Sequence, residues 1–358
     1  MIKKVFNHIG PVFTALLLFV PLSLILGYFT NLPILTFICS AIAIVPMAAI
    51  IGYATEELVM QLNPTWGGFI NATFGNVIEL VIAIFALQKG LINLVQASIV
   101  GSILGNILLL GGLSIFVGGL KFKEQSFNKV SARVSSTMLI LAVAGLTLPT
   151  IYYFTLNPTA GDIQLVSDVV AIVLAITYIA GLLFSLWTHK HLFDSSDAIK
   201  ENDSPSISRS KAIILLFIST LIIALLSEIL VRDVEFAAKA IGLTESFVGI
   251  VIIAIIGNIA EKYSAITFAI KNKIDVSLEI GASSAIQVAL FVVPILVLVG
   301  QIVGTPFTLV FSLFEIICMV FAALIVNYVV ADGKCNWLEG VQLLAVYLII
   351  AVIFFFVN

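Results

Sequence analysis

The sequence predicts an all-α, polytopic membrane protein of about eleven transmembrane helices, built as two inverted five-helix repeats behind one extra N-terminal helix. Three observations predict it. Of 358 residues 61% are hydrophobic and only 10% charged, with a mean hydropathy of +1.20, which leaves too little polar surface to cover a soluble globule. Apolar runs long enough to cross a bilayer recur along the whole chain. A five-residue pattern, Gly-Asn-x-x-Glu, stands at Gly75–Glu79 and again at Gly257–Glu261, each time inside such a run.

A span needs about 20 apolar residues at 1.5 Å rise each. Reading between charges, glycines and prolines gives eleven candidates: 11–30, 33–61, 65–89, 91–119, 128–156, 162–188, 210–231, 244–271, 274–302, 306–330 and 337–357. The first is broken by Pro21 and followed by no small-x-small cleavage site, so it reads as an uncleaved helix rather than a signal peptide. The chain then divides into an N-terminal extra helix (1–32), a first repeat (33–191), an acidic linker (192–208) and a second repeat (209–358). In the linker Asp194, Asp197, Glu201 and Asp203 face only Lys200, the composition of a solvated segment.

Loop charges fix the orientation. With the N-terminus inside, thirteen Lys and Arg fall on the inner side (Lys3, Lys4, Lys121, Lys123, Lys129, Arg133, Lys190, Lys200, Arg209, Lys211, Lys271, Lys273, Lys334) and three, Lys89, Arg232 and Lys239, on the outer. Thirteen against three predicts a cytoplasmic N-terminus and an external C-terminus, with the plasma membrane as the expected location.

The duplication extends beyond the motif. Shifted by 182 residues, Ala72–Gly90 matches Ala254–Asn272 at seven of nineteen positions, including Asn76 with Asn258, Glu79 with Glu261 and Lys89 with Lys271. After a one-residue slip Gly101–Asn106 corresponds to Ala282–Gln287, and upstream Thr55–Val59 mirrors Ser227–Val231. Five helices per repeat is an odd number, so the second copy enters the membrane upside down relative to the first.

An ionised carboxylate at mid-membrane costs roughly 2.5 to 3.5 kcal/mol on insertion scales, so a buried Glu marks a partner or a pathway. Asn76 and Glu79 share a helix face, as do Asn258 and Glu261. Two such carboxylates brought together repel unless protons or a divalent cation neutralise them. Ca2+ takes six to eight oxygens, so amides and freed carbonyls must join the acids, and Gly75 and Gly257 suit a helix break that frees them. Glu79 and Glu261 are therefore the expected metal and proton ligands, with Asn76 and Asn258 beside them. The bland alternative is interhelical glue without any ligand.

Ser102, Asn106, Ser283 and Gln287 are second-tier ligand candidates. Against that role, Ser98, Gly101, Ser102, Gly105 and Asn106 share an arc that would also serve as a small-residue packing face. Glu56 and Glu228, at mirrored helix ends, fit an entrance on each side or simply solvated termini. Lys262 should point about 100° away from Glu261 and hence outside the ligand ring, although a buried acid or a vestibule would also accommodate it. Glu245, Glu279, Glu315 and Glu339 lack repeat partners and receive no role. Cys39, Cys318 and Cys335 have neither metal nor disulfide spacing.

At these residues the chain resembles the Ca2+/cation-proton exchangers of the CAX family, within the calcium/cation antiporter superfamily. The similarity covers essentially the full length and is most specific at Gly75–Glu79, Gln96–Ser98, Gly101–Asn106, Gly257–Glu261, Lys271–Asp275 and Ser283–Gln287. The resemblance implies eleven helices, an acidic linker, proton-driven Ca2+ export or sequestration, and Glu79 and Glu261 as alternating ligands of Ca2+ and H+. Family members commonly carry His directly after the second Glu, where Lys262 stands here. Sodium/calcium exchangers carry other signatures, so Na+ is the less expected driving ion.

The leading function is exchange of cytosolic Ca2+ for protons by alternating access. Monovalent Na+ or K+/proton antiport and a non-coupled cation channel are the alternatives. An intramembrane enzyme is disfavoured, because His8, His189 and His191 all fall at helix ends. No cofactor is expected beyond the transported ions. The expected partners are Ca2+, protons and the lipid bilayer, not nucleic acid, and a homo-oligomer stays open.

Overall fold

The computed structural model describes residues 2–192 and 205–356, so most of the acidic linker lies outside the described residues. Fourteen helical pieces follow one another: α1 (Ile2–Leu16), α2 (Phe19–Phe29) and α3 (Pro33–Val59), then α4 (Pro64–Gly75), α5 (Val77–Gln88) and α6 (Ile92–Lys121). Next come α7 (Lys129–Leu156), α8 (Ala160–Thr188), α9 (Arg209–Ile241), α10 (Glu245–Gly257) and α11 (Ile259–Ile270). Last are α12 (Ile274–Ile302), α13 (Leu313–Val329) and α14 (Trp337–Phe356).

Seven of these are continuous apolar helices long enough to cross a bilayer, and three pairs (α1/α2, α4/α5 and α10/α11) reach that length with a bend of 41°, 45° and 62°. The described residues thus hold seven candidate spans, or ten with each bent pair taken as one, beside the shorter apolar α13, where the sequence predicts about eleven. Three boundaries differ from that reading: helix begins near residue 2 rather than 11, the 210–231 run continues to Ile241, and the 306–330 run is helical only over Leu313–Val329. The runs 65–89 and 244–271 are each interrupted at the motif Asn, next to the glycines read as break points. Apolarity alone cannot register such a break, because a bent span is as greasy as a straight one.

Large apolar side chains face outward as well as inward. On α8 Leu165, Val169, Ile172, Val173 and Ile176 are exposed, which suits a helix whose outer face meets lipid rather than water. The inner layer forms where mirrored helices cross: α3 lies along α9, α5 packs on α9, and α11 packs on α3. Ala43, Ile44 and Ala54 of α3 and Ile223 and Leu226 of α9 have no exposed surface.

At one face of the bundle the helix ends are sewn together by polar contacts. A two-stranded antiparallel pair joins Gln125–Ser126 to Lys334–Cys335. Asn128 donates its backbone N–H to the Asp275 carboxylate at 2.7 Å and its side-chain amide to the Leu192 carbonyl at 2.8 Å. Lys121 donates to the Ile270 carbonyl at 3.0 Å, and Lys334 pairs with Glu124 at 2.8 Å. Four basic residues of the predicted inner set, Lys121, Lys129, Lys271 and Lys334, lie in or beside this face, which gathers ends from both halves.

Candidate ion-binding site

The helix breaks create the site. At Asn76 (φ −112°, ψ 23°) and Asn258 (φ −99°, ψ 15°) the backbone leaves helical geometry, and each Asn N–H turns to the carbonyl only two residues back. Each motif Glu then falls in the first turn of the helix that restarts, where the N-terminal end of the dipole favours a negative charge. Widened π-helical turns at Gly105–Leu110, Val248–Ile253 and Val288–Val292 add further irregular backbone around the same centre. In lipid such backbone persists only where it is buried in protein or lines a cavity.

The two carboxylates are seated reciprocally. A Cβ on Gly257 would stand 2.7 Å from Oε1 of Glu79, and one on Gly75 would stand 3.6 Å from Oε1 of Glu261. Each motif glycine is thus the floor under the opposite repeat's acid. Beside the acids, the amides and serines form a connected network. Asn76 donates to Gln287 at 2.6 Å, Asn106 donates to Ser284 at 2.8 Å and to Asn258 at 3.3 Å, and Asn258 donates to Ser102 at 3.4 Å. The Ser284 hydroxyl returns to the Asn76 carbonyl oxygen at 3.1 Å.

What this network leaves over is all acceptor. Both carboxylate oxygens of Glu79, Oε2 of Glu261 and Oδ1 of Asn106 are buried without a hydrogen-bond donor. Buried acceptors without donors are costly, and what satisfies such oxygens is a cation or protons. No group of three or more His, Cys, Asp and Glu that could hold a metal occurs among the described residues, so a metal here would have to draw on amides and carbonyls besides the two acids.

Of the sequence candidates, Asn76, Glu79, Ser102, Asn106, Asn258, Glu261 and Gln287 converge on this centre. Ser283 does not join the network: its hydroxyl donates to Ile280 O at 3.3 Å, and its neighbour Ser284 makes the contacts instead. Ser98 donates to Val95 O, and a Cβ on Gly101 would stand 2.4 Å from the Ile250 backbone, so the N-terminal part of that arc on α6 packs against α10. Lys262 is the larger departure. It is 6% exposed and turns inward, donating to the Ala254 carbonyl at 3.1 Å, the same oxygen that accepts Asn258 Nδ2 at 3.1 Å. Its long side chain runs back toward the helix N-terminus and crosses the break to reach Ala254.

Glu56 lies half out of the protein with His8 Nε2 at 3.8 Å. It lines a cavity of about 250 Å³ whose wall also includes Gly75, Gly257, Glu261, Ser283 and Gln287. Glu228 is exposed and does not line that cavity. The acids without repeat partners mostly serve local structure: Glu315 closes a capping box with Ser312, Glu339 receives Asn336 N–H at 2.8 Å, and Glu279 receives the Ser131 hydroxyl at 3.2 Å. Glu57, which the sequence reading passed over, is buried and accepts the backbone N–H groups of Ser206 and Ile207 at 2.7 and 3.0 Å, as well as the Ser206 hydroxyl.

Fold and site together define a polytopic helical membrane protein with two like halves around an acid–amide centre, a class to which ion antiporters belong. The family model for the sodium/calcium exchanger protein matches residues 32–187 and 211–356, and the chain belongs to that family. It is 42% identical over 360 residues to the Ca(2+)/H(+) antiporter of Aphanothece halophytica, covering 96% of each chain. It is 36% identical to the vacuolar calcium ion transporter of Schizosaccharomyces pombe, over 96% of this chain and 84% of that one. The crystal structure of the Ca2+/H+ antiporter protein YfkE superposes with a TM-score of 0.84 at 38% identity, covering 97% of this chain and all of the other.

Proposed function

We propose that this protein is a secondary antiporter, not an enzyme, that exchanges Ca2+ for protons, with Glu79 and Glu261 as the shared ligand pair and no resident cofactor. The observation that carries the reading is the reciprocal seating of the two carboxylates with four buried acceptor oxygens left without donors. One Ca2+ supplies the positive charge both acids need, and protons do the same when it leaves. The relatives that carry a Ca2+/H+ antiporter name support the choice of ions.

Access differs between the two acids. Glu261 shares a cavity with Glu56, whereas Glu79 does not line it and sits against Gly257, which supports a reading in which Glu261 is reached from the Glu56 side. Positive-inside bias assigns that side to the cytoplasm, with the C-terminus external. Movement of the inverted halves would close this mouth and open one toward Glu228. The plasma membrane is our assignment, although several relatives are named for the vacuole.

The test is vesicular exchange. Everted vesicles with a preset pH gradient should discharge it on addition of Ca2+, and much less on addition of Na+ or K+. Discharge by Na+ or K+ alone would assign monovalent antiport, and Ca2+ flux that ignores the pH gradient would assign a channel.

A further inference from the structure

The two halves of the site are not equivalent, and the difference lies at one side chain. At the break in α10/α11 the Asn258 N–H bonds Ile256 O, so the Ala254 carbonyl loses the amide that a continuous helix would give it. Freed carbonyls at helix breaks are the oxygens with which membrane proteins coordinate cations. In this half that oxygen is already held by Lys262 Nζ at 3.1 Å and by Asn258 Nδ2 at 3.1 Å. The Lys side chain reaches over eight residues along the axis to do so. Its nitrogen ends 4.0 Å from where a Cβ on Gly105 would be, so a residue without a side chain walls the seat. The first half has nothing comparable, because the residue after Glu79 is Leu80.

We propose that Lys262 is a specificity-determining residue: its amine is a tethered occupant of a cation seat, holding the Ala254 carbonyl away from the transported ion. The inference rests on the cation-exchange reading above and adds to it which oxygens the ion is denied. Ca2+ affinity rises with ligand number and charge. A site with one carbonyl withheld binds Ca2+ more weakly and releases it more readily than its oxygen inventory would allow. Ions that need fewer oxygens lose less by the same obstruction. Lys262 therefore lowers the preference for Ca2+ over monovalent ions while easing Ca2+ departure.

Lys262→Met keeps an unbranched chain of similar length and removes the donor. Ca2+ and Na+ binding to purified wild type, Lys262→Met and Lys262→Arg is measured by calorimetry, with Ca2+-driven discharge of the pH gradient measured in parallel in vesicles. The expected result is Ca2+ binding roughly tenfold tighter in Lys262→Met, a smaller gain for Na+, and near wild-type values in Lys262→Arg. In vesicles the half-saturating Ca2+ should fall in the same proportion. Lys262→Leu, which also lacks a donor, carries the same expectation should the Met variant fail to give monodisperse protein. Unchanged or weaker Ca2+ binding in a folded Met or Leu variant overturns the proposal. If the wild type proves to exchange another cation, the functional reading falls, but the ratio of divalent to monovalent binding across the variants still decides the role of Lys262.

Discussion

Adding one methyl group at Gly257 should separate transport from stability. A Cβ there would stand 2.7 Å from Glu79 Oε1, 3.0 Å from its Cδ and 3.3 Å from its Cγ. Ordinary contact between a carbon and these atoms begins nearer 3.4 Å, so the carboxylate must retreat by roughly half an ångström or more. That is large for a Ca2+ ligand, whose oxygen sits within a band of about 2.3 to 2.6 Å. The atoms that must move belong to one flexible side chain rather than to backbone, so the fold should absorb the change with about 1 kcal/mol or less lost, below the usual range for an overpacked core. At Gly75 the corresponding Cβ meets Gln287 Oε1 at 3.4 Å and Glu261 Oε1 at 3.6 Å, which is ordinary contact. The expected outcome is asymmetric. Gly257→Ala should reduce Ca2+-driven proton movement in vesicles by about tenfold or more, while Gly75→Ala stays within about threefold. Thermal unfolding in detergent should be nearly unchanged for both. Equal losses at the two glycines, or an unimpaired Gly257→Ala, would refute the seating of Glu79 on Gly257.

Three further outcomes follow from the same geometry. Glu79→Gln and Glu261→Gln should each abolish coupled exchange at normal protein levels, since neutral amides are cheaper to bury than carboxylates; robust uptake by either variant, measured in the vesicle assay, would remove the two-acid site. Glu56→Ala should weaken Ca2+ use chiefly from the cytoplasmic side and Glu228→Ala from the outside, read by comparing everted with right-side-out vesicles, where equal losses would leave both as ordinary helix-end carboxylates. Cys335 lies in the polar face outside the spans, where burial, with Glu339, Asp332 and Glu124 nearby, pushes its thiol up to about 12. Because the thiolate is the reactive form, native protein at neutral pH should resist maleimide at this position and label only on unfolding, as mass spectrometry would show.

Much of this was legible in the sequence because polar residues in lipid-spanning runs are conspicuous. The repeated Gly-Asn-x-x-Glu marked both breaks, and the one-residue slip in the following helix pointed to Asn106 and Gln287, whose side chains enter the amide network. It also led to Ser283 rather than Ser284. Those two serines stand four and three residues before Gln287, and both spacings put them on the Gln287 face, so periodicity could not choose between them. The motif glycines read as hinge residues. Their second role, as floors under the opposite acid, depends on how two distant segments meet and has no local signature. The contact of Lys262 with the Ala254 carbonyl was not foreseen, because rotation about the axis was weighed and side-chain reach along it was not. Glu57 offered no clue, since its partners Ser206 and Ile207 lie about 150 residues further along the chain.

Glu57 gives the bundle a mechanical property. Adjacent residues at the end of α3 face different ways: Glu56 borders the mouth, while Glu57 grips the backbone at Ser206 and Ile207. Two residues later the chain enters α9 through Ser208, and Gln61, one turn beyond Glu57, also holds the Ile207 carbonyl at 3.1 Å. The mirrored helices, already packed side by side, are thereby pinned at one end like two rods sharing a collar. Sliding either one along its axis would strain this collar, which joins the end of α3 in one half to the start of α9 in the other through contacts made by Glu57 and Gln61.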